Sequence, residues 1–186
     1  IRLSLVGSEM CIRDRGIAIF LIITFFVKDS QPSQQLPKIG SIPQFEFIDS
    51  DGNTVTLDNL KGKVWVADFI FTTCTMACPM MTGNMNLVHK KFKKNDDVRL
   101  VSISVYPEYD TPDVLKEYAS QYDADTEKWL FLTGDESSVK NIIKDGFKIG
   151  DFEEIIFHSE KFALVDKNGT IRAVSYTHLT LPTTLV

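Results

Sequence analysis

The rest of the chain is arranged about the stretch Phe69-Ile-Phe-Thr-Thr-Cys74-Thr-Met-Ala-Cys78-Pro-Met-Met81. An apolar run ends, two cysteines follow four residues apart, and a proline opens a helical pattern. Upstream, Val64-Trp-Val-Ala-Asp-Phe-Ile-Phe71 is nearly continuous apolar, as a strand covered on both faces should be. Asp68 is the exception. Downstream, Pro79 suits the first turn of a helix running to about Phe92, with Met81, Met85, Val88 and Phe92 on one face. A thiol pair at such a strand-to-helix turn is a soft-metal site or a redox site.

Elements on either side extend the pattern. Phe45 to Leu57 alternates apolar and polar residues about Asp51-Gly52, which supplies a turn of positive φ, so it reads as an N-terminal hairpin. Val98 to Val105 is the next strand. Thr111-Pro112-Asp113 starts a helix with a hydroxyl cap, a proline and an acid near the positive dipole end. Trp129 to Leu132 is a short strand, and Asp135 or Ser137 caps a helix to about Phe147. Phe162 to Arg172 is strand, turn, strand. The alternation predicts an α/β domain of thioredoxin-like fold, a central mixed sheet flanked by helices.

Both ends look foreign. Residues 1–15 and 174–186 carry no period and resemble translated sequencing-adapter sequence, so they are set aside as artefacts. On this reading the natural chain continues past 173, and a C-terminal helix is truncated. Gly16 to Val27 is apolar throughout and Lys28-Asp29 ends it. It is too short to span a bilayer, which takes about 20 residues, and reads as the remnant (16–28) of a membrane anchor or signal segment. Residues 29–38 are polar and proline-spaced, a linker to a domain at 39–173. The domain is expected on the extracytoplasmic face of the membrane, where thiols oxidise unless reduced or metallated. Hydrophobic residues make up 44% and charged residues 24% of the chain, with a net charge of −5. This acidic balance argues against nucleic acid as a partner.

Setting the ends aside removes Cys11 and His178 and leaves Cys74, Cys78, His89 and His158. Positive helix ends lower thiol pKa from about 8.5, which makes thiolate accessible near neutral pH. Thiolates are soft donors that suit copper(I). Two sulfurs are few for tight binding, and His158, in a loop just before a strand, is the candidate third ligand. His89, beside Lys90 and Lys91, reads as a solvated surface histidine. Met81 and Met85 sit at core spacing, whereas Met76 lies between the cysteines and would shield a metal. Asp68 is either an acid at the edge of the core, hydrogen-bonded locally, or a carboxylate near the cysteines that tunes their pKa or affects copper(II) binding. A structural disulfide is disfavoured because so small a ring stabilises little.

The residues Trp65 to Thr82, Ser102-Ile-Ser-Val105 with Asp110-Thr-Pro112, Trp129-Leu-Phe-Leu-Thr-Gly134, and His158 with Leu164-Val-Asp166 together resemble the Sco/SenC family of copper chaperones for cytochrome c oxidase assembly. The resemblance covers about 39–173. It implies copper, as Cu(I) or Cu(II), held by Cys74, Cys78 and His158, and delivery to the dinuclear copper site of cytochrome c oxidase subunit II. It also implies a thiol reductant protein as a second partner and a membrane anchor. One residue departs from the pattern: Tyr106 stands before Pro107 where the family carries an aspartate, for which Glu108 or Asp110 would have to substitute. The alternative is an extracytoplasmic thiol–disulfide oxidoreductase, with Cys74 attacking and Cys78 resolving as a redox-active pair. Against it stand the CxxxC spacing, the absence of a proline before Phe162, and a histidine such an enzyme does not need.

Overall fold

The computed structural model describes residues 36–148 and 160–176. The proposed adapter segment 1–15, the anchor remnant 16–28, most of the linker, His158, and residues 177–186 lie outside the described residues.

Eight strands form one sheet: β1 (Gly40–Ser41), β2 (Glu46–Asp49), β3 (Thr54–Thr56), β4 (Val64–Ile70), β5 (Val98–Ser104), β6 (Trp129–Thr133), β7 (Lys161–Val165) and β8 (Thr170–Tyr176). Their order is β1-β8-β7-β4-β5-β6-β2-β3. β4, β5 and β6 are parallel neighbours, and every other pairing is antiparallel. Both edges are short strands, two residues at β1 and three at β3. The helices are α1 (Leu57–Leu60), α2 (Ala77–Phe92), α3 (Pro112–Ser120) and α4 (Glu136–Asn141), the last continuing as a π-helical turn over Ile142–Phe147. The mixed sheet with helices on its faces matches the expected architecture.

The local signals act as physics requires. Gly52 and Gly169 take φ of 84° and 77° at the two hairpin turns, a region closed to most side chains. Thr111 caps α3 by accepting the Val114 N–H, with Pro112 in the first turn. Asp135, not Ser137, caps α4, taking the Ser138 N–H at 3.0 Å.

Strand parity sorts the core into two layers. Trp65, Ala67 and Phe69 of β4 pack with Val139, Ile142, Ile143 and Phe147 on the α4 side. Ile70, Leu100, Trp129 and Phe131 pack with Met85 of α2 and Leu115 and Tyr118 of α3 on the other. Asp68 alternates onto this second face. Met81 and Met85 are fully buried, as their spacing predicts, but Phe92 is 39% exposed at the helix end. His89 reverses its expectation. It is buried, tilted against Trp129 at 5.7 Å between ring centroids, one turn beyond Met85 on the packed face.

Candidate metal centre

β4 ends at Ile70, and residues 71–76 form the loop that carries Cys74 to α2. The first amides of a helix lack partners within it and carry its positive end. No side chain of the preceding Met76 caps α2. Sulfur takes that role: the Cys78 N–H donates to Cys74 Sγ at 3.5 Å. Both cysteines are free thiols. Burial pushes the half-buried Cys74 thiol up, but the amides of Cys78, Met76 and Ala77 outweigh it, and its pKa lies below the ordinary value.

Cys78 behaves in the opposite way. Its side chain is 4% exposed, enclosed with Ile70, Met85, Leu115 and Tyr118. Burial pushes its thiol up to about 12; an amide bond from Phe71 offsets part of this, while Cys74 and the Asp68 carboxylate add to it. The expectation that the helix dipole activates both thiols is therefore corrected. Desolvation overrides the dipole at the enclosed sulfur and leaves Cys74 as the more readily ionised thiol of the two.

Asp68 lies on the same face, fully buried. β4 and β5 run parallel with Asp68 level with Ser102. The Ser102 hydroxyl donates to Asp68 Oδ1 at 2.6 Å and in turn accepts the Trp129 indole N–H at 2.9 Å. Asp68 Oδ2 has no hydrogen-bond partner. Burial raises the Asp68 pKa to about 7, against the partial relief given by Ser102. Asp68 is thus no edge acid. It is a core carboxylate whose charge reaches Cys78.

Two further parts emerge only in three dimensions. Tyr106 is exposed and stacks on Tyr109 at 6.1 Å, with the rings 8° from parallel. Asp110 is fully buried and accepts from Thr72 in the cysteine loop, 38 residues earlier. A sequence signal for this polar seam exists: Ser102 and Ser104 alternate with the apolar Val101, Ile103 and Val105, which puts both hydroxyls on one face.

An open groove of about 440 Å³ begins at Cys74, walled by Thr72, Thr75, Tyr109, Glu117, Tyr118 and Tyr122. A larger hollow of about 620 Å³ beside Phe45 and Asp145 holds none of these residues. Met76, between the cysteines, is 84% exposed. Among the described residues no three His, Cys, Asp or Glu side chains cluster as a metal site. The two sulfurs stand as a soft pair suited to a thiophilic ion. β7 begins at Lys161 and runs antiparallel to β4, so the chain enters β7 at the sheet end where β4 releases the cysteine loop. Phe162 packs against the cluster that encloses Cys78. His158 itself lies outside the described residues.

Comparison with known proteins adds to this geometry. The family model for SCO1/SenC matches residues 33–184. A SCO1 protein homolog of Bacillus subtilis is 37% identical over 163 residues, covering 84% of each chain. The structure of BsSco, a member of the Sco family of cytochrome c oxidase assembly proteins with a disulfide switch, superimposes with a TM-score of 0.69 at 37% identity. That match covers 80% of this chain and 91% of BsSco. Bradyrhizobium japonicum ScoI with copper bound superimposes with a TM-score of 0.64 at 28% identity, covering 75% of this chain and 92% of ScoI.

Proposed function

The chain belongs to the SCO1/SenC family, and from that premise we propose that it is a copper metallochaperone. Cys74, Cys78 and His158 hold the copper, which is handed to the dinuclear copper site of cytochrome c oxidase subunit II. The observation that carries this reading is the pair of free thiols at the sheet mouth, one open and one enclosed, in a chain whose relatives include copper-bound structures. Copper is cargo here. It must therefore be gripped and released by the same residues.

The unequal thiols suit that task. Cys74 faces the groove and carries the lowered proton affinity, so it meets the incoming ion or the partner's ligand first. Cys78 must shed a proton that burial holds tightly, so uptake releases a proton and weakens as pH falls. Release proceeds by ligand exchange, one thiolate at a time, with reprotonation of Cys78 favouring departure. The cysteines must be reduced before loading, which calls for the thiol reductant partner. No helix among the described residues is long and apolar enough to cross a membrane. The apolar segment 16–28 supplies the anchor in this reading and places the domain on the extracytoplasmic face.

The test is copper binding by the reduced protein against His158→Ala. Groups that merely orient metal ligands are worth roughly 10–100-fold in affinity, so loss of a ligand should cost about 100-fold or more. Equal binding by the two proteins sinks the three-ligand site. The second reading, a thiol–disulfide oxidoreductase, draws on the same asymmetry, since an activated outer thiol beside an enclosed one is also the arrangement of an attacking and a resolving cysteine. Disulfide reductase activity without copper binding would select it.

A further inference from the structure

Phe71 and Cys74 of the cysteine loop pack on the core, but among the described residues the loop has few hydrogen bonds to the rest of the fold. Among the described residues its own hydrogen bonds close within it: Cys74 N–H to the Phe71 carbonyl at 3.1 Å, and Cys78 N–H to Cys74 Sγ at 3.5 Å. Its hydrogen-bonded tether to the rest of the described fold is Thr72. The Thr72 hydroxyl donates to Asp110 Oδ1 at 2.6 Å, and the Thr72 N–H lies 3.3 Å from both carboxylate oxygens. The Ser104 hydroxyl, at the end of β5, donates to Asp110 Oδ2 at 2.5 Å and accepts the Tyr106 N–H at 3.0 Å.

This carboxylate differs from the other turn acids. Asp49, Asp135 and Asp166 take amides from their own turns, two to four residues along. Asp110 also sits in a turn, yet its side chain reaches 38 residues back. It is fully buried, and no cation pairs with it among the described residues. A buried charge held only by hydrogen bonds is costly. A carboxylate repays that cost where several donors converge, because it is acceptor-only and has room for about four. The convergent donors here are the loop and the end of β5.

We infer that Asp110 is a positioning residue for Cys74: through Thr72 its carboxylate holds the loop in the conformation that turns the first amides of α2 toward the Cys74 sulfur. The inference rests on the reading of Cys74 as a working thiol, but not on the identity of the metal or of the third ligand. Asp110 touches neither sulfur. It acts by fixing Thr72, two residues before Cys74, and so fixes where the sulfur stands relative to the helix end.

The test is the pH profile of iodoacetamide alkylation of the reduced full chain, with peptide mass spectrometry reading the label at Cys74. Thr72→Val keeps the size of the side chain and removes the hydroxyl donor. It should move the profile to higher pH and slow alkylation at pH 7 by about threefold or more, the value of one hydrogen bond in this range. Thr72→Ser should restore the wild-type profile. Asp110→Asn should move the profile in the same direction as Thr72→Val. A merely neighbouring negative charge would give the reverse, since removing it favours the thiolate, so a shift to lower pH overturns the inference. It is equally overturned if Thr72→Val superimposes on wild type, or if Thr72→Ser fails to rescue. Thr72 is half-buried, so its variants report even if Asp110→Asn does not fold. Copper binding measured on His158→Ala fails or succeeds independently of these profiles.

Discussion

Asp68→Asn is expected to remove the loss of stability that the Asp68 carboxyl itself imposes between pH 4 and pH 8. The carboxyl is fully buried, and burial raises its pKa from an ordinary 3.8 to about 7. A raised folded-state pKa means that the native state holds the proton more tightly than the unfolded chain. The associated stability is fully present below pH 3.8, is lost progressively as pH rises, and is gone above about 7. A pKa difference of one between the folded and unfolded states corresponds to about 1.4 kcal/mol, so the loss is about 4 kcal/mol. Asparagine carries no charge at any of these pH values and retains an acceptor for the Ser102 hydroxyl. Urea unfolding of the reduced apo protein, repeated from pH 4 to pH 8, is the measurement. The stability of the variant relative to wild type should rise by about 4 kcal/mol across the window. Parallel pH profiles for the two proteins would show that the Asp68 carboxylate is stabilised in a way its surroundings do not reveal.

Trp129→Ala is expected to be the most damaging single truncation near the site. The indole is fully buried, stacks on Phe131 at 4.9 Å and meets His89 at 5.7 Å. Its N–H is also the far end of the bond sequence that runs through Ser102 to Asp68. Truncating a buried tryptophan leaves a cavity and costs about 3–5 kcal/mol. Trp129→Phe keeps most of the ring volume and loses chiefly the N–H donor, for about 1–2 kcal/mol. Chemical denaturation of wild type and both variants gives the ordering. An alanine variant within about 1 kcal/mol of wild type would mean that α2 and α3 close over the space, which is a very different core from the one described.

Much of this protein is readable from local chemistry. Asp51-Gly52 announces a turn because few residues other than glycine accept its φ, and Thr111-Pro112 announces a helix start because a hydroxyl cap and a fixed φ are needed there. The apolar run before Cys74 reads as a buried strand, and β4 indeed lies in the middle of the sheet. What escapes such reading is set by residues far away in the chain. The proton affinity of Cys78 depends on enclosure by Leu115, Tyr118 and Trp129, which no spacing around Cys78 reveals. Asp110 looks like part of a helix start until the fold brings Thr72 to it. His89 is instructive because its position was legible: it continues the Met81, Met85 series by one helical turn. The adjacent Lys90 and Lys91 suggest a wet face, yet at a helix end lysines turn to solvent and to the C-terminal dipole while the preceding residue still packs inward.

The sheet is bounded by its two shortest strands, Gly40–Ser41 and Thr54–Thr56. Each offers so few free amide and carbonyl groups that a foreign strand finds almost no ladder to extend, which is how soluble sheets avoid edge-to-edge association. If the proposed handover of copper is right, a protein that meets partners through a half-buried thiol has particular need of this. The outermost strands thus give a partner little to pair with, whereas the end of the sheet where Cys74 lines a groove gives it a recess.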